Sequence, residues 1–255
     1  MLHKKMILFD VDDTLAKSKC PMSSEMAEAI AELLRHVHVG IISGGKWEVL
    51  KRNIVDVLPE YARDVFHKFH VLPTSGARYH AYRNSAWEEV YAHLLEESEG
   101  VRIMELLSAA AESEYERPQV YGDLVENRGT MISLALFGQT APIHVKENAD
   151  RDHVIRKRIV AKVTPHLREY EVKIGGATSI DVSKKGMDKA YGVKAIADHL
   201  GLTLDEIGFV GDAVFPGGND YPVKELGVEV LIVKNEDETF EHIMSWLGKK
   251  RIQEV

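Results

Sequence analysis

Buried-looking strands and amphipathic helices alternate through the first third of the chain. Met6, Ile7, Leu8 and Phe9 follow one another with no polar partner, the pattern of a parallel strand covered on both faces. Ser23 then opens a segment in which Met26, Ala29, Ile30, Leu33 and Leu34 recur at helical spacing. Residues 37–42 read as a second strand, rich in β-branched side chains. A helix is expected through Trp47, Leu50, Ile54 and Val57, and residues 69–73 read as a third strand. This alternation predicts an α/β fold with a Rossmann-like, doubly wound parallel sheet.

The middle of the chain changes character. From 84 to 116 the pattern reads as helical, through Trp87, Val90, Leu94, Ile103, Leu106 and Leu107. Residues 119–128 and 131–137 are strand-like and joined by Gly129-Thr130, which predicts an antiparallel hairpin. A charged helix over 150–168 and a strand pair at 170–176 and 178–182 follow. The expectation is an α+β block over 84–184, inserted into a core made of 1–83 and 185–255. The first pattern then returns, with a helix at 189–199, strands at 207–212 and 228–233, and a closing helix at 238–247.

Composition narrows the function class only a little. In 255 residues, 45% hydrophobic and 28% charged content is ordinary for a globular chain. Lys plus Arg is 32 against 40 Asp plus Glu, a net charge of −8. That balance argues against a nucleic acid or an anionic membrane as the main partner. A small anionic substrate stays compatible, because a metal and a few cations can reverse the field in one cleft. The single cysteine, Cys20, excludes an intramolecular disulfide and fits a reducing, cytoplasmic setting. The N-terminal apolar run stops at Asp10, short of the roughly 7–15 residues of a signal core, and nothing approaches the ~20 of a membrane span. None of the 12 histidines falls in a zinc-type pattern, and most are expected at the surface or the core edge. A homodimer through the insert is compatible with the sequence.

The first strand runs into Asp10-Val11-Asp12-Asp13-Thr14. Two apart in extended chain, Asp10 and Asp12 point the same way. Like charges that close are costly unless a cation lies between them, and Mg²⁺ is the usual one where phosphate is handled. A helix cap or a solvated turn is the purely structural alternative. Three further signals follow in order: Ser43-Gly44-Gly45, Lys189, and Gly211-Asp212 with Gly217-Gly218-Asn219-Asp220. Alone, each reads as a tight turn, a solvated lysine or a flexible loop. Together they supply carboxylates, a hydroxyl, backbone amides and a cation, which is what phosphoryl transfer requires.

With these motifs the chain resembles the haloacid dehalogenase superfamily, subfamily IIB, over nearly its whole length. Pro216-Gly217-Gly218-Asn219-Asp220, the run from Gly186 to Tyr191, and Glu126-Asn127-Arg128 are similar to eukaryotic-type phosphomannomutases, with sugar-phosphate phosphatases as further relatives. The resemblance implies a large cap inserted after the third core strand. It also implies Asp10 as nucleophile through an aspartyl-phosphate, Asp12 as acid and base, Ser43 and Lys189 on the phosphoryl group, and Gly44 and Gly45 beside Ser43. Mg²⁺ would be held by Asp10, the Asp12 carbonyl and Asp212, with Asn219 and Asp220 completing the shell around metal and phosphate. Arg128, Ser179 and Asp181 would contact phosphate and sugar hydroxyls from the cap. Asp13 receives no chemistry.

The resemblance also exposes a departure. A mutase must hold two phosphates in turn, and the cap phosphate calls for several forked arginines. Arg128 is the first expected; the second falls at Gln139 and the third near Lys146. Each lost hydrogen bond to a charged group costs on the order of 1.5–3 kcal/mol, enough to weaken capture of a bisphosphate. The expectation is therefore a Mg²⁺-dependent phosphatase for a sugar phosphate or similar small phosphoester, with phosphomannomutase as the alternative. Arg83, Arg151 or Arg156 are the arginines that would compensate for Gln139. A non-catalytic binding protein on a decayed enzyme fold is disfavoured by the intact Asp10, Asp12, Ser43, Lys189 and Asp212.

Overall fold

A computed structural model describes residues 1–18, 20–116, 119–146, 150–175 and 178–248. The chain divides into two compact units, Met1–Ala92 with Met187–Val255, and His93–Gly186.

The first unit is built on a seven-stranded sheet. Its central strands are β1 (Met6–Phe9), β2 (His38–Ile42) and β3 (Phe69–Leu72). Two antiparallel strands, β4 (Arg78–Arg83) and β5 (Ala86–Ala92), extend one edge. Helices α1 (Ser24–Leu33) and α2 (Trp47–Asn53) connect the early strands, and Ser23 caps α1 by accepting from the Met26 N–H. Every side chain of β1 is fully buried, each burial contributing roughly 1.5–3 kcal/mol. Ile7 and Phe9 join the core cluster that includes α1, while Met6 and Leu8 join a cluster on the other face. That split explains the unbroken apolar run.

In the second unit a long helix, α3 (Glu97–Glu114), packs on a four-stranded antiparallel sheet. The sheet holds β6 (Val125–Asn127), β7 (Met131–Ala135), β8 (Tyr170–Gly175) and β9 (Ser179–Lys184), in the order β6-β7-β9-β8. A short helix α4 (Ile143–Lys146) and the longer α5 (Val154–Val163) lie between β7 and β8 in the chain. Helices α3 and α5 cover one face, where Val125, Ile132, Leu134, Ile180 and Val182 are buried.

The chain then returns to the first unit with α6 (Lys189–Leu200), β10 (Ile207–Gly211), α7 (Tyr221–Glu225), β11 (Glu229–Ile232) and α8 (Glu236–Trp246). The full order of the large sheet is β11-β10-β1-β2-β3-β4-β5, parallel from β11 to β3. Among the described residues no helix is long and apolar enough to cross a membrane.

The helical expectation for 84–116 is corrected at its start, where residues 86–92 are a strand. Opposite the Tyr79–His80 step, β5 pairs through Tyr91 and Glu89, so Val90 is an extra, bulged residue. Trp87 therefore faces one core cluster while Val90 and Tyr91 both face the other. A bulge breaks strict alternation, and here it leaves apolar residues at a spacing that mimics a helix. The insertion accordingly follows the β4–β5 hairpin and not the third strand directly. Two smaller differences concern length: α2 stops at Asn53 before 3₁₀ turns, and β6 spans three residues of the strand-like run 119–128. Most histidines are exposed or half-buried, as expected, with His70 and His80 the buried exceptions.

Candidate active site

Three neighbouring strands end together. Phe9 is level with Ile41 of β2 and with Val210 of β10, so Asp12, Ser43 and Asp212 leave the sheet at its carboxyl edge within about one residue of each other. In open α/β sheets ligands bind at this edge.

Asp10 sits directly after β1, 3% exposed, with its N–H donating to the Val210 carbonyl at 2.9 Å. The Val11 carbonyl then accepts from the N–H groups of Thr14, Leu15 and Ala16, folding the acidic segment into a compact turn. Asp13 takes a left-handed φ of 56° at the tip and is exposed, while Asp12 is half-buried. The acid given no chemistry thus faces solvent. Ser43 is buried, and its Oγ accepts the Gly45 N–H at 3.0 Å. That contact leaves the hydroxyl proton to donate elsewhere. Gly44 is half-buried beside it.

Lys189 opens α6, whose first turn is capped by Asp188 accepting from the Tyr191 N–H at 3.1 Å. One turn along, Gly192 crosses Gly76 so closely that a Cβ on Gly76 would lie 2.4 Å from the Gly192 Cα. Only glycines permit this approach, which seats the start of α6 deep against the sheet end. Lys189 is fully buried; its Nζ donates to Asp10 Oδ1 at 2.5 Å and to Asp220 Oδ1 at 2.6 Å. Burial alone would strip its proton, but the charges of Asp10 and Asp220 outweigh that and hold it as ammonium.

Asp220 is also fully buried, and its second oxygen accepts from the Ala213 N–H at 3.1 Å. A Cβ on Gly211 would lie 2.4 Å from that oxygen, so glycine at the end of β10 makes room for the carboxylate. Oxygens of Asp10, Asp212 and Asp220 all lie within 4.8 Å of one another. Burial, then Asp220, pushes the Asp212 carboxyl up, and burial does the same to Asp10 against the pull of Lys189. Three carboxylates and one ammonium leave two negative charges uncompensated. An all-oxygen donor set short of two positive charges fits a hard divalent cation. Asn219 is exposed next to Asp220.

The sequence-predicted residues of the second unit form a separate group. Glu126, Ser133, Asp181 and Lys173 are successive cross-strand partners, a polar row across β6, β7, β9 and β8. Arg128 donates from Nε to Glu126 at 2.9 Å and from NH2 to Gln139 Oε1 at 3.3 Å. Gln139 Nε2 in turn donates to the Ser133 carbonyl at 2.9 Å, and Ser133 Oγ to Asp181 at 2.6 Å. A Cβ on Gly175 would collide with the Asp181 carboxylate and press on Ser179 Oγ, so both side chains lie over that glycine. Residues 176 and 177 of the same glycine-rich run lie outside the described residues. Lys146 Nζ donates to the Gln139 carbonyl at 3.4 Å. Of the arginines considered as substitutes, Arg156 is buried on Asp150 at 2.9 Å. Arg83 belongs to the first unit, 2.7 Å from His199, and Arg151 is exposed.

Ser133 and the close-packed glycines at 76, 175 and 192 carry no site signal in the sequence, and Gly211 is legible there only as part of the Gly211-Asp212 motif. Strand register finds Ser133, and close backbone approach finds the glycines; neither is a local signal.

A model of the eukaryotic phosphomannomutase family matches residues 26–249. Phosphomannomutase 2 of Dictyostelium discoideum is 27% identical over 224 residues, 85% of each chain. The phosphomannomutase of Encephalitozoon cuniculi is 26% identical over 255 residues, covering 97% of this chain and 95% of its own. Among solved structures, a haloacid dehalogenase-like hydrolase from Bacteroides thetaiotaomicron superposes with a TM-score of 0.64 at 15% identity, covering 95% of this chain and 99% of its own.

Proposed function

The chain belongs to the eukaryotic phosphomannomutase family, enzymes of the haloacid dehalogenase superfamily, and on that premise we propose a Mg²⁺-dependent phosphohydrolase for a small sugar phosphate. In this reading the first unit, Met1–Ala92 with Met187–Val255, serves as catalytic core and His93–Gly186 as the specificity cap. Asp10 is the nucleophile: its carboxylate oxygen bonds phosphorus as the ester P–O bond breaks, and Asp12 protonates the departing oxygen. Asp12 then takes a proton from water, whose oxygen bonds phosphorus while the Asp10–phosphorus bond breaks. Inorganic phosphate leaves and both carboxyl groups are restored. Lys189 and the Ser43 hydroxyl offset charge on the phosphoryl oxygens, and the Lys189 bridge to Asp220 keeps the ammonium aimed at Asp10. Asp10, the Asp12 carbonyl and Asp212 would hold Mg²⁺, with Asp220 behind them. When bound, the cation screens the nucleophile from the incoming phosphate and draws charge off the phosphoryl oxygens.

The observation that carries hydrolysis over isomerisation is the engagement of Arg128. Its guanidinium is paired with Glu126 and bonded to Gln139, which brings no charge of its own. A second phosphate on this unit would meet a partly neutralised arginine, with Arg156 already committed to Asp150. Weak retention of a bisphosphate leaves water as the acceptor. The alternative, a mutase, is favoured by the family itself. The deciding experiment incubates the protein with mannose 1-phosphate or glucose 1-phosphate, with and without the hexose bisphosphate, and measures free phosphate and 6-phosphate. Phosphate release outrunning isomerisation is expected; the reverse overturns the hydrolase reading.

A further inference from the structure

Between Asp212 and Asp220 the chain makes one tight excursion. Its two ends are pinned to each other: the Ala213 N–H donates to the Asp220 carboxylate at 3.1 Å, and the Asp220 N–H returns to the Ala213 carbonyl at 3.3 Å. Inside that clasp the Gly218 N–H donates to the Phe215 carbonyl at 2.8 Å. Gly217 supplies a left-handed φ of 91°, and a Cβ on Gly218 would sit 2.0 Å from the Ala213 carbonyl oxygen. Pro216 restricts the backbone of the residue before it to extended conformations. Val214 turns inward and is buried, whereas Phe215 turns outward and is 59% exposed.

Among the described residues this is the one phenylalanine left in solvent. Phe9, Phe66, Phe69 and Phe209 are buried, and Phe137 and Phe240 are partly buried. Single exposed apolar side chains are ordinary on a surface. What distinguishes Phe215 is its place: of the exposed large hydrophobics it alone lies between two carboxylates of the acidic cluster. It is three residues from Asp212, so its Cα lies within roughly 11 Å of the Asp212 Cα, in a loop whose two ends are hydrogen-bonded to each other. The face of an aromatic ring carries partial negative charge and attracts polarised C–H groups. One face of a hexose ring presents such C–H groups, whereas a phosphate ion presents none.

We propose that Phe215 is a specificity-determining residue, an aromatic platform that stacks on the ring of a hexose phosphate whose phosphate lies at Asp10. The assignment deepens the hydrolase reading and rests on its placement of the phosphate. Stacking selects for the ring-bearing part of the substrate and leaves the phosphate itself to Lys189, Ser43 and the acidic cluster.

The test is a ratio of affinities. With Mg²⁺ present, glucose 1-phosphate and inorganic phosphate are titrated calorimetrically into the full chain carrying Asp10→Asn, which prevents turnover, alone and combined with Phe215→Ala, Phe215→Leu or Phe215→Trp. The preference for the hexose phosphate over phosphate is expected to fall about five- to tenfold in the alanine and leucine proteins and to persist in the tryptophan protein. A preference that stays within about twofold in all three, or one that leucine restores as well as tryptophan, overturns the platform. Because binding is read without turnover, the outcome is independent of whether the wild-type chain releases phosphate. Absence of that release counts against the hydrolase reading alone.

Discussion

Lys189 Nζ lies 2.5 Å from Asp10 Oδ1, and the two side chains are 1% and 4% exposed. A buried pair of this kind is asymmetric toward mutation. Lys189→Met leaves Asp10, Asp212 and Asp220 facing one another with no ammonium, and breaking such a pair is expected to cost about 3–5 kcal/mol of stability together with activity. Asp10→Asn removes one of the repelling charges, so turnover is expected to vanish with little loss of stability. Chemical denaturation and phosphate release, measured on both proteins, check the contrast. A Lys189→Met protein as stable as wild type would refute the structural role of the ammonium.

The acidic cluster predicts cation dependence that can be read without an assay of turnover. Adding Mg²⁺ at about 100 times its dissociation constant should stabilise the fold by about 2.7 kcal/mol, seen as a rise in melting temperature. Asp212→Asn, which removes one of the clustered carboxylates, should weaken cation binding by at least the ~10–100-fold that loss of even an outer partner costs. Chelation should silence phosphate release and Mg²⁺ should restore it. Indifference of both melting and activity to chelator would rule out the site.

Gln139 offers a gain-of-function test. Gln139→Arg would set a second guanidinium beside Arg128, with Glu126 close enough to Arg128 to limit their repulsion. Each charge-assisted hydrogen bond it makes to a second phosphate is worth roughly 1.5–3 kcal/mol, or about 10–150-fold in retention. The ratio of 6-phosphate formed to phosphate released, with bisphosphate present, should rise by at least tenfold. An unchanged ratio would remove position 139 from the choice of acceptor.

His70 is buried in β3, hydrogen-bonded to Tyr79 at 2.8 Å and to His38 at 3.0 Å. Burial, then the neighbouring His38, His199, Arg83 and His67, pushes its pKa down to about 3 from 6.5. The unfolded chain therefore binds the extra proton first. Stability should be intact above pH 6.5, fall as pH drops through it, and level off below about 3. Between neutral pH and pH 5 the loss from this group is about 2 kcal/mol, at 1.36 kcal/mol per unit. His70→Gln should flatten the profile over that interval, as urea midpoints at several pH values would show. An equally steep profile in the variant would assign the effect to other groups.

Local pattern was enough to read most of the elements and the order of the acidic motifs. Helical spacing from Met26 to Leu34 and the apolar run into Asp10 are properties of neighbouring residues, and they reappear as α1 and β1 with their caps and ends in place. Strand-terminal acids could be foreseen at one edge because parallel strands share a direction. Long-range pairing decided the rest. Whether Trp87 and Val90 belong to a helix or to a bulged strand depends on the register against β4. Asp220 reaches Lys189 only because Gly211 leaves space beneath it, and Lys189 reaches Asp10 where Gly192 passes Gly76. Ser133 meets Asp181 through strand pairing across 48 residues of sequence. Periodicity carries no information about such contacts, because they arise from how separate elements approach, which backbone packing sets and neighbouring residues do not.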